Sequence, residues 1–169
     1  MISRTENAGF LLPAITTLAI RLLVSYSFPG ARARSCPKGW LRALGNCYAY
    51  FDSPKSWSEA EIACQSHGRG THLASVHTER ESALVANHIF SKQKTKDNVW
   101  IGLHDSNEKR DWKWLDDSLF NYNNWNGGEP NNYKNSKEYC VELLHRTGFR
   151  KWNDKPCNLL CTYICKQEL

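Results

Sequence analysis

Apolar positions along this chain change their spacing in a way that predicts a strand, two helices and then further strands. Asn46 to Phe51 (NCYAYF) has the aromatic content of a strand. Trp57, Ala60 and Cys64 then recur at helical spacing, so one face is buried and Cys64 points inward. Ser56-Trp57-Ser58-Glu59 opens that helix as a capping box, with serine at the cap and glutamate three residues later. Gly68 and Gly70 end it. Thr78-Glu79-Arg80-Glu81 is a second capping box, opening a helix whose buried stripe is expected at Leu84, Val85, His88 and Ile89.

The second half changes character. Asn98 to Leu103 (NVWIGL) reads as a short buried strand, and Trp112 and Trp114 alternate around Lys113 as in a strand. Phe120 to Asn135 is rich in Asn, Gly and Tyr and carries a Gly127-Gly128 pair, which is loop composition. That loop is long for a compact domain, and loops of such length are usually functional or disordered. Tyr139 to Leu144, Phe149 to Trp152 and Tyr163 to Lys166 read as strands. The plan is an α+β domain.

Length and cysteines narrow the class. A chain of 169 residues suggests one domain. Its N-terminus has an apolar run from Phe10 to Ile20, extended by Leu22 to Val24 past Arg21, and a small-x-small step at Ala31-Arg32-Ala33. Residues 1–33 are therefore expected to be a signal peptide, leaving a domain over 34–169, secreted and with no membrane insertion of the mature chain. Glu6 and Arg21 are irregular for such a leader, so a signal anchor is the alternative, although the run falls short of the ~20 residues of a span. All seven cysteines lie at or after Cys36, without a CxxC pair. That spacing argues against a zinc ribbon and for disulfides formed in an oxidising compartment.

Charge excludes more than it suggests. The net charge is +5; residues 1–33 carry +2 (Arg4, Arg21 and Arg32 against Glu6), which leaves +3 for the rest. No clustered basic face is present, so no nucleic-acid partner is expected. Lys92, Lys94 and Lys96 fall in a loop-like stretch with Asp97 and read as solvated. There is no GxSxG, HExxH or GxxxxGK[ST] motif, and the six histidines are scattered, so no enzyme is expected.

The candidate chemistry is a set of oxygen donors between residues 129 and 154: Glu129 and Asn131 around Pro130, Glu138 just before Cys140, then Asn153 and Asp154 ahead of Cys157. Three carboxylates and two amides suit calcium, which takes six to eight oxygens at roughly 2.3–2.6 Å. Five side chains leave positions open on such an ion, and two sugar hydroxyls could fill them. The plainer readings are Asn and Asp as turn formers, or a purely structural ion.

Eight ordered elements carry a resemblance: Cys36-Pro37-Lys38-Gly39-Trp40, the Trp57 helix, His72-Leu73-Ala74-Ser75, Trp100-Ile101-Gly102-Leu103, Glu129-Pro130-Asn131, Tyr139-Cys140-Val141-Glu142-Leu143, Trp152-Asn153-Asp154 and Cys165. From Cys36 to Lys166 the chain resembles the C-type lectin-like domain family, in its small secreted single-domain type (venom lectins, pancreatic regenerating proteins, eggshell lectins). The resemblance implies two helices packed on small antiparallel sheets, a long calcium-binding loop and the disulfides Cys36–Cys47, Cys64–Cys165 and Cys140–Cys157. Six cysteines by spacing alone allow 15 pairings. Cys161 is left unpaired, as a buried thiol or as an interchain link in a dimer.

The same resemblance implies a cis Pro130 and calcium held by Glu129, Asn131, Glu138, Asn153 and Asp154. Glu129, Asn131, Glu138 and Asn153 would also bond the sugar, with Tyr133 packing on its face. Glu-Pro-Asn resembles the mannose-type signature, pointing to vicinal diols of mannose, glucose, N-acetylglucosamine or fucose. The implied partners are glycans or glycoproteins on cell surfaces; the alternatives are a protein or mineral surface, or bacterial wall glycan. Asn132 and Tyr139 stand where some relatives place carboxylates for a second calcium, so one ion is expected. The step from Glu129 to Glu138 is also one residue longer than in close relatives.

Overall fold

A computed structural model describes residues 35–169. The leader expected over 1–33 lies outside them. Within the described residues the elements are β1 (Leu41–Ala43), β2 (Asn46–Lys55), α1 (Trp57–Gln65), β3 (Thr71–Leu73), α2 (Glu79–Lys92), β4 (Val99–His104), β5 (Lys113–Trp114), β6 (Cys140–Leu143), β7 (Trp152–Lys155) and β8 (Cys161–Glu168). Two helices and one irregular sheet make the α+β plan. The sheet runs β1-β2-β8-β4-β6-β7, with β3 added on β8 and β5 on β4. Its pairs are antiparallel except β4 beside β8.

Local chemistry explains where the elements begin. Leu44 (φ 51°) and Gly45 (φ 78°) are both left-handed, the two-residue turn that joins β1 to β2 as a hairpin. Glu59 reaches back to the Ser56 N–H at 3.0 Å and caps α1. The α2 cap is only half a capping box. Thr78 accepts from the Glu81 N–H at 3.0 Å, but the Glu81 carboxylate turns into the core. There it accepts from the His77 N–H (2.7 Å), the Tyr48 hydroxyl (2.5 Å) and Lys166 (2.9 Å).

This shifts the buried stripe of α2. It comprises Glu81, Ser82, Val85, Ala86 and Ile89, whereas Leu84 and His88 are only half-buried. The strand expected over Phe149–Trp152 starts at Trp152, because Phe149 is a left-handed turn residue (φ 62°) buried under the sheet. Beneath α2 the core is Tyr48, Val85, Ile89, Ile101, Leu103, Trp114, Leu143, Trp152 and Ile164 among others. A second cluster under α1 gathers Ala60, Leu73, Trp100, Tyr163 and the Cys64–Cys165 bridge. Gly102 lies where these layers cross, and any Cβ there would collide with the Leu73 carbonyl oxygen.

The structure joins Cys36–Cys47, Cys64–Cys165 and Cys140–Cys157, with Cα separations of 5.4, 5.5 and 5.2 Å. Each bridge typically contributes about 2–4 kcal/mol, chiefly by restricting the unfolded chain. Cys161 is unpaired and 3% exposed. That burial favours the buried thiol over the interchain bond. Burial, then the nearby Glu142 carboxylate, pushes its thiol pKa up to about 12, so it stays protonated.

Candidate functional site

The long segment between β5 and β6 is hung on one side chain. Trp152 is fully buried, and the rings of Trp114, Tyr122 and Trp125 meet it edge-on at 5.7–5.8 Å. Its backbone completes the anchor: Trp152 N–H donates to Asn124 (3.0 Å) and its carbonyl accepts from Asn126 (2.9 Å). The next two residues, Asn153 and Asp154, belong to the candidate site. The loop is thereby docked beside the donors that it must meet.

From Asn126 the chain turns through Gly128 (φ 87°), closed by the Glu129 N–H to the Asn126 carbonyl at 2.9 Å. The Glu129–Pro130 bond is cis. Asp154, 1% exposed, then accepts two consecutive N–H groups, from Asn131 (3.0 Å) and Asn132 (2.9 Å). Glu138 closes the far side by accepting the Tyr133 N–H at 2.6 Å, while its own N–H donates to the Asn132 side chain at 3.3 Å. Between 129 and 138 the chain takes left-handed conformations at Asn132 (φ 46°), Lys134 (φ 54°) and Asn135 (φ 60°). Non-glycine residues take that conformation uncommonly, asparagine most readily.

Electrostatics supply the functional signal. One carboxylate oxygen of Glu129 is buried with no hydrogen-bond partner in the protein. Burial, then the neighbouring carboxylates of Asp154 and Glu138, raise the Glu129 pKa, with Arg146 acting weakly in the opposite sense. The carboxylates of Asp154 and Glu138 thus act on a bare Glu129 oxygen, a situation that a cation relieves. The residues fit calcium on donor chemistry and on that orphaned oxygen. Among the described residues, no group of three or more Asp, Glu, His or Cys side chains is preassembled as a metal cage, so the amides of Asn131 and Asn153 are needed to complete one.

Asp154 and Glu138 are tied to the 131–133 backbone, while the two asparagine side chains differ in their freedom. The Asn153 amide nitrogen is occupied by the Glu142 carboxylate (3.1 Å) and the Asp154 carbonyl (2.7 Å). Both protons of that nitrogen are thereby used. Asn131 is exposed. Tyr133 is 61% exposed, with the Lys134 ammonium 5.2 Å from its ring centre.

Sequence reading missed Glu142, which organises Asn153. It is 2% exposed and also accepts from Asn98 (2.8 Å) and Lys155 (2.8 Å). A charged residue at that depth needs partners, but its partners follow only from the pairing of β6 with β7, where Glu142 faces Asn153, and with β4, which Asn98 immediately precedes.

The family model "Lectin C-type domain" matches residues 53–167. The chain belongs to the C-type lectin domain family. A C-type lectin of Micrurus corallinus is 50% identical over 140 residues, covering 83% of this chain and 88% of that protein. A C-type lectin mannose-binding isoform of Oxyuranus scutellatus is 43% identical over 152 residues, covering 90% and 95%. Among solved structures, human lithostathine superposes with a TM-score of 0.74 at 36% identity, over 79% of this chain and 100% of its own. Lectin domains of this family bind carbohydrate and are not enzymes.

Proposed function

We propose that this lectin binds sugars through a single calcium ion and prefers the mannose type: vicinal diols of mannose, glucose, N-acetylglucosamine or fucose. The observation that carries the reading is the buried, unpartnered Glu129 oxygen between two further carboxylates. Glu129, Asn131, Glu138, Asn153 and Asp154 would hold the ion. When bound, it supplies positive charge and open coordination positions for two hydroxyl oxygens.

The protein's own part is to fix and polarise the diol. Glu129 and Glu138 accept hydroxyl protons, the exposed Asn131 amide donates to a hydroxyl oxygen, and Asn153 presents only its carbonyl. Tyr133 lies at the mouth, where its ring can cover a sugar face. The Glu-Pro-Asn triplet and the likeness to a relative named as a mannose-binding isoform support the mannose preference. Three disulfides support an extracellular, secreted protein. No helix among the described residues is long and apolar enough to cross a membrane. Glycans or glycoproteins on cell surfaces are the proposed partners. A single small polar contact binds weakly, so useful avidity requires several sites presented together.

The test is chromatographic. The purified protein should be retained on mannose-agarose in calcium and released by a chelator. Retention in the presence of chelator would overturn the mechanism.

A further inference from the structure

The segment between β4 and β5 touches both ends of the site loop. At the far end, the Asp105 N–H donates to the Tyr139 carbonyl at 2.9 Å, and the Tyr139 hydroxyl donates to Glu108 at 3.0 Å. At the near end, the Arg110 guanidinium donates to the Pro130 carbonyl at 2.6 Å. Asp105 delivers that arginine. Its carboxylate, in a residue 2% exposed, accepts the backbone N–H groups of Lys109 (3.2 Å) and Arg110 (2.7 Å). Around that carboxylate the chain turns through left-handed Glu108 (φ 59°) and Arg110 (φ 63°).

The contact falls at an informative place. The peptide unit between Pro130 and Asn131 offers one C=O and one N–H. Arg110 holds the oxygen and Asp154 holds the N–H at 3.0 Å. A cation and an anion therefore pin the same peptide plane from opposite edges, which fixes the direction in which the Asn131 side chain leaves the backbone. Hydrogen bonds with an ionised partner are the stronger kind.

We propose that Arg110 is a positioning residue for the sugar site: with Asp105 behind it, its guanidinium clasps the 129–138 loop in binding geometry before any ion or sugar arrives. This rests on the reading of Glu129 to Asp154 as the ion and diol site. The positive charge that orders this side of the loop is supplied by the protein. Pre-ordering lowers the entropy lost when ligand binds, so the clasp acts on calcium affinity.

The experiment uses the full chain as wild type, Arg110→Ala and Arg110→Lys, each calcium-free and calcium-loaded. Amide hydrogen exchange over residues 129–138 is read by mass spectrometry, and calcium and methyl mannoside affinities by calorimetry. In the calcium-free protein, Arg110→Ala should speed exchange at Asn131 to Tyr133 about tenfold and weaken calcium binding about tenfold, the scale of one lost charge-assisted hydrogen bond. Exchange in α2 should stay unchanged, and mannoside affinity at saturating calcium should fall by less than calcium affinity does. Arg110→Lys, which keeps the charge and one donor, should recover part of both effects.

Unchanged exchange at 131–133 in Arg110→Ala overturns the clasp, as does a change spread equally over α2. A wild type that takes up no calcium overturns the proposed function, while the exchange result still decides on the clasp.

Discussion

Replacing Glu129 by glutamine should move the stability of this lectin in opposite directions with and without calcium. In the calcium-free protein Glu129 places a bare buried oxygen next to Asp154 and Glu138. A buried polar group without a partner costs about 1–3 kcal/mol, and Glu129 is only half-buried, so about 1 kcal/mol is the reasonable scale. Glutamine removes one of the three charges, and its amide can donate to Asp154. For a domain of this size, 1 kcal/mol corresponds to roughly 3–4 °C in Tm. Because the Glu129 pKa is raised by the fold, the penalty is absent while the group is protonated and grows as pH rises through that pKa. The advantage of the variant is therefore greatest at neutral pH and vanishes in acid.

Calcium reverses the order. At 100 times its dissociation constant an ion adds about 2.7 kcal/mol, roughly 8–10 °C here, and only the wild type gains it. Scanning calorimetry of both proteins at pH 7, in chelator and in calcium, should show the two Tm values crossing. A glutamine variant that melts below wild type in chelator refutes the crowding argument. An equal calcium shift in both proteins refutes Glu129 as a ligand.

The pair Glu129→Gln with Asn131→Asp exchanges the order of acceptor and donor along the triplet. Competition assays should then show preference moving from mannose toward galactose, and an unchanged preference would remove the triplet as the selector. Burial pushes the Glu81 pKa up, but Tyr48, Lys166 and the His77 N–H outweigh it and hold the carboxyl below its ordinary value. Its stability contribution is therefore present above the unfolded-state pKa and lost as pH falls through the folded one. Glu81→Gln should cost about 3–5 kcal/mol at pH 7, by stranding Lys166, and should flatten the acid limb of a denaturation profile; a steep limb in the variant would locate acid sensitivity elsewhere. Cys161 should ignore a thiol reagent in the native protein and react with one equivalent in denaturant, and gels with and without reductant should show no dimer linked through it.

What could be read from the chain depends on the range of the forces concerned. The starts of α1 and α2 were legible because caps are chemistry between residues three apart. Both helices and the longer strands followed from period and aromatic content. β1 and β3 have three residues each, too few for a period to show. The α2 stripe was misplaced because two of its buried positions, Glu81 and Ser82, are polar, and Glu81 is buried for the sake of Lys166 on β8. No apolar pattern records such a pair. At the site, the five donors were visible as residue types around one X-Pro step. Glu142 and Arg110 were not, because one acts through strand register and the other through a loop folded over from β4.

The Cys64–Cys165 bridge spans 101 positions and brackets the whole site loop. A protease that cut once between Glu129 and Glu138 would leave two pieces still tied through that bond. Such a nicked molecule would keep its mass on a non-reducing gel while its sugar site was severed. Samples of this lectin that lose activity on storage should therefore be inspected after reduction, where the cut would separate the two fragments.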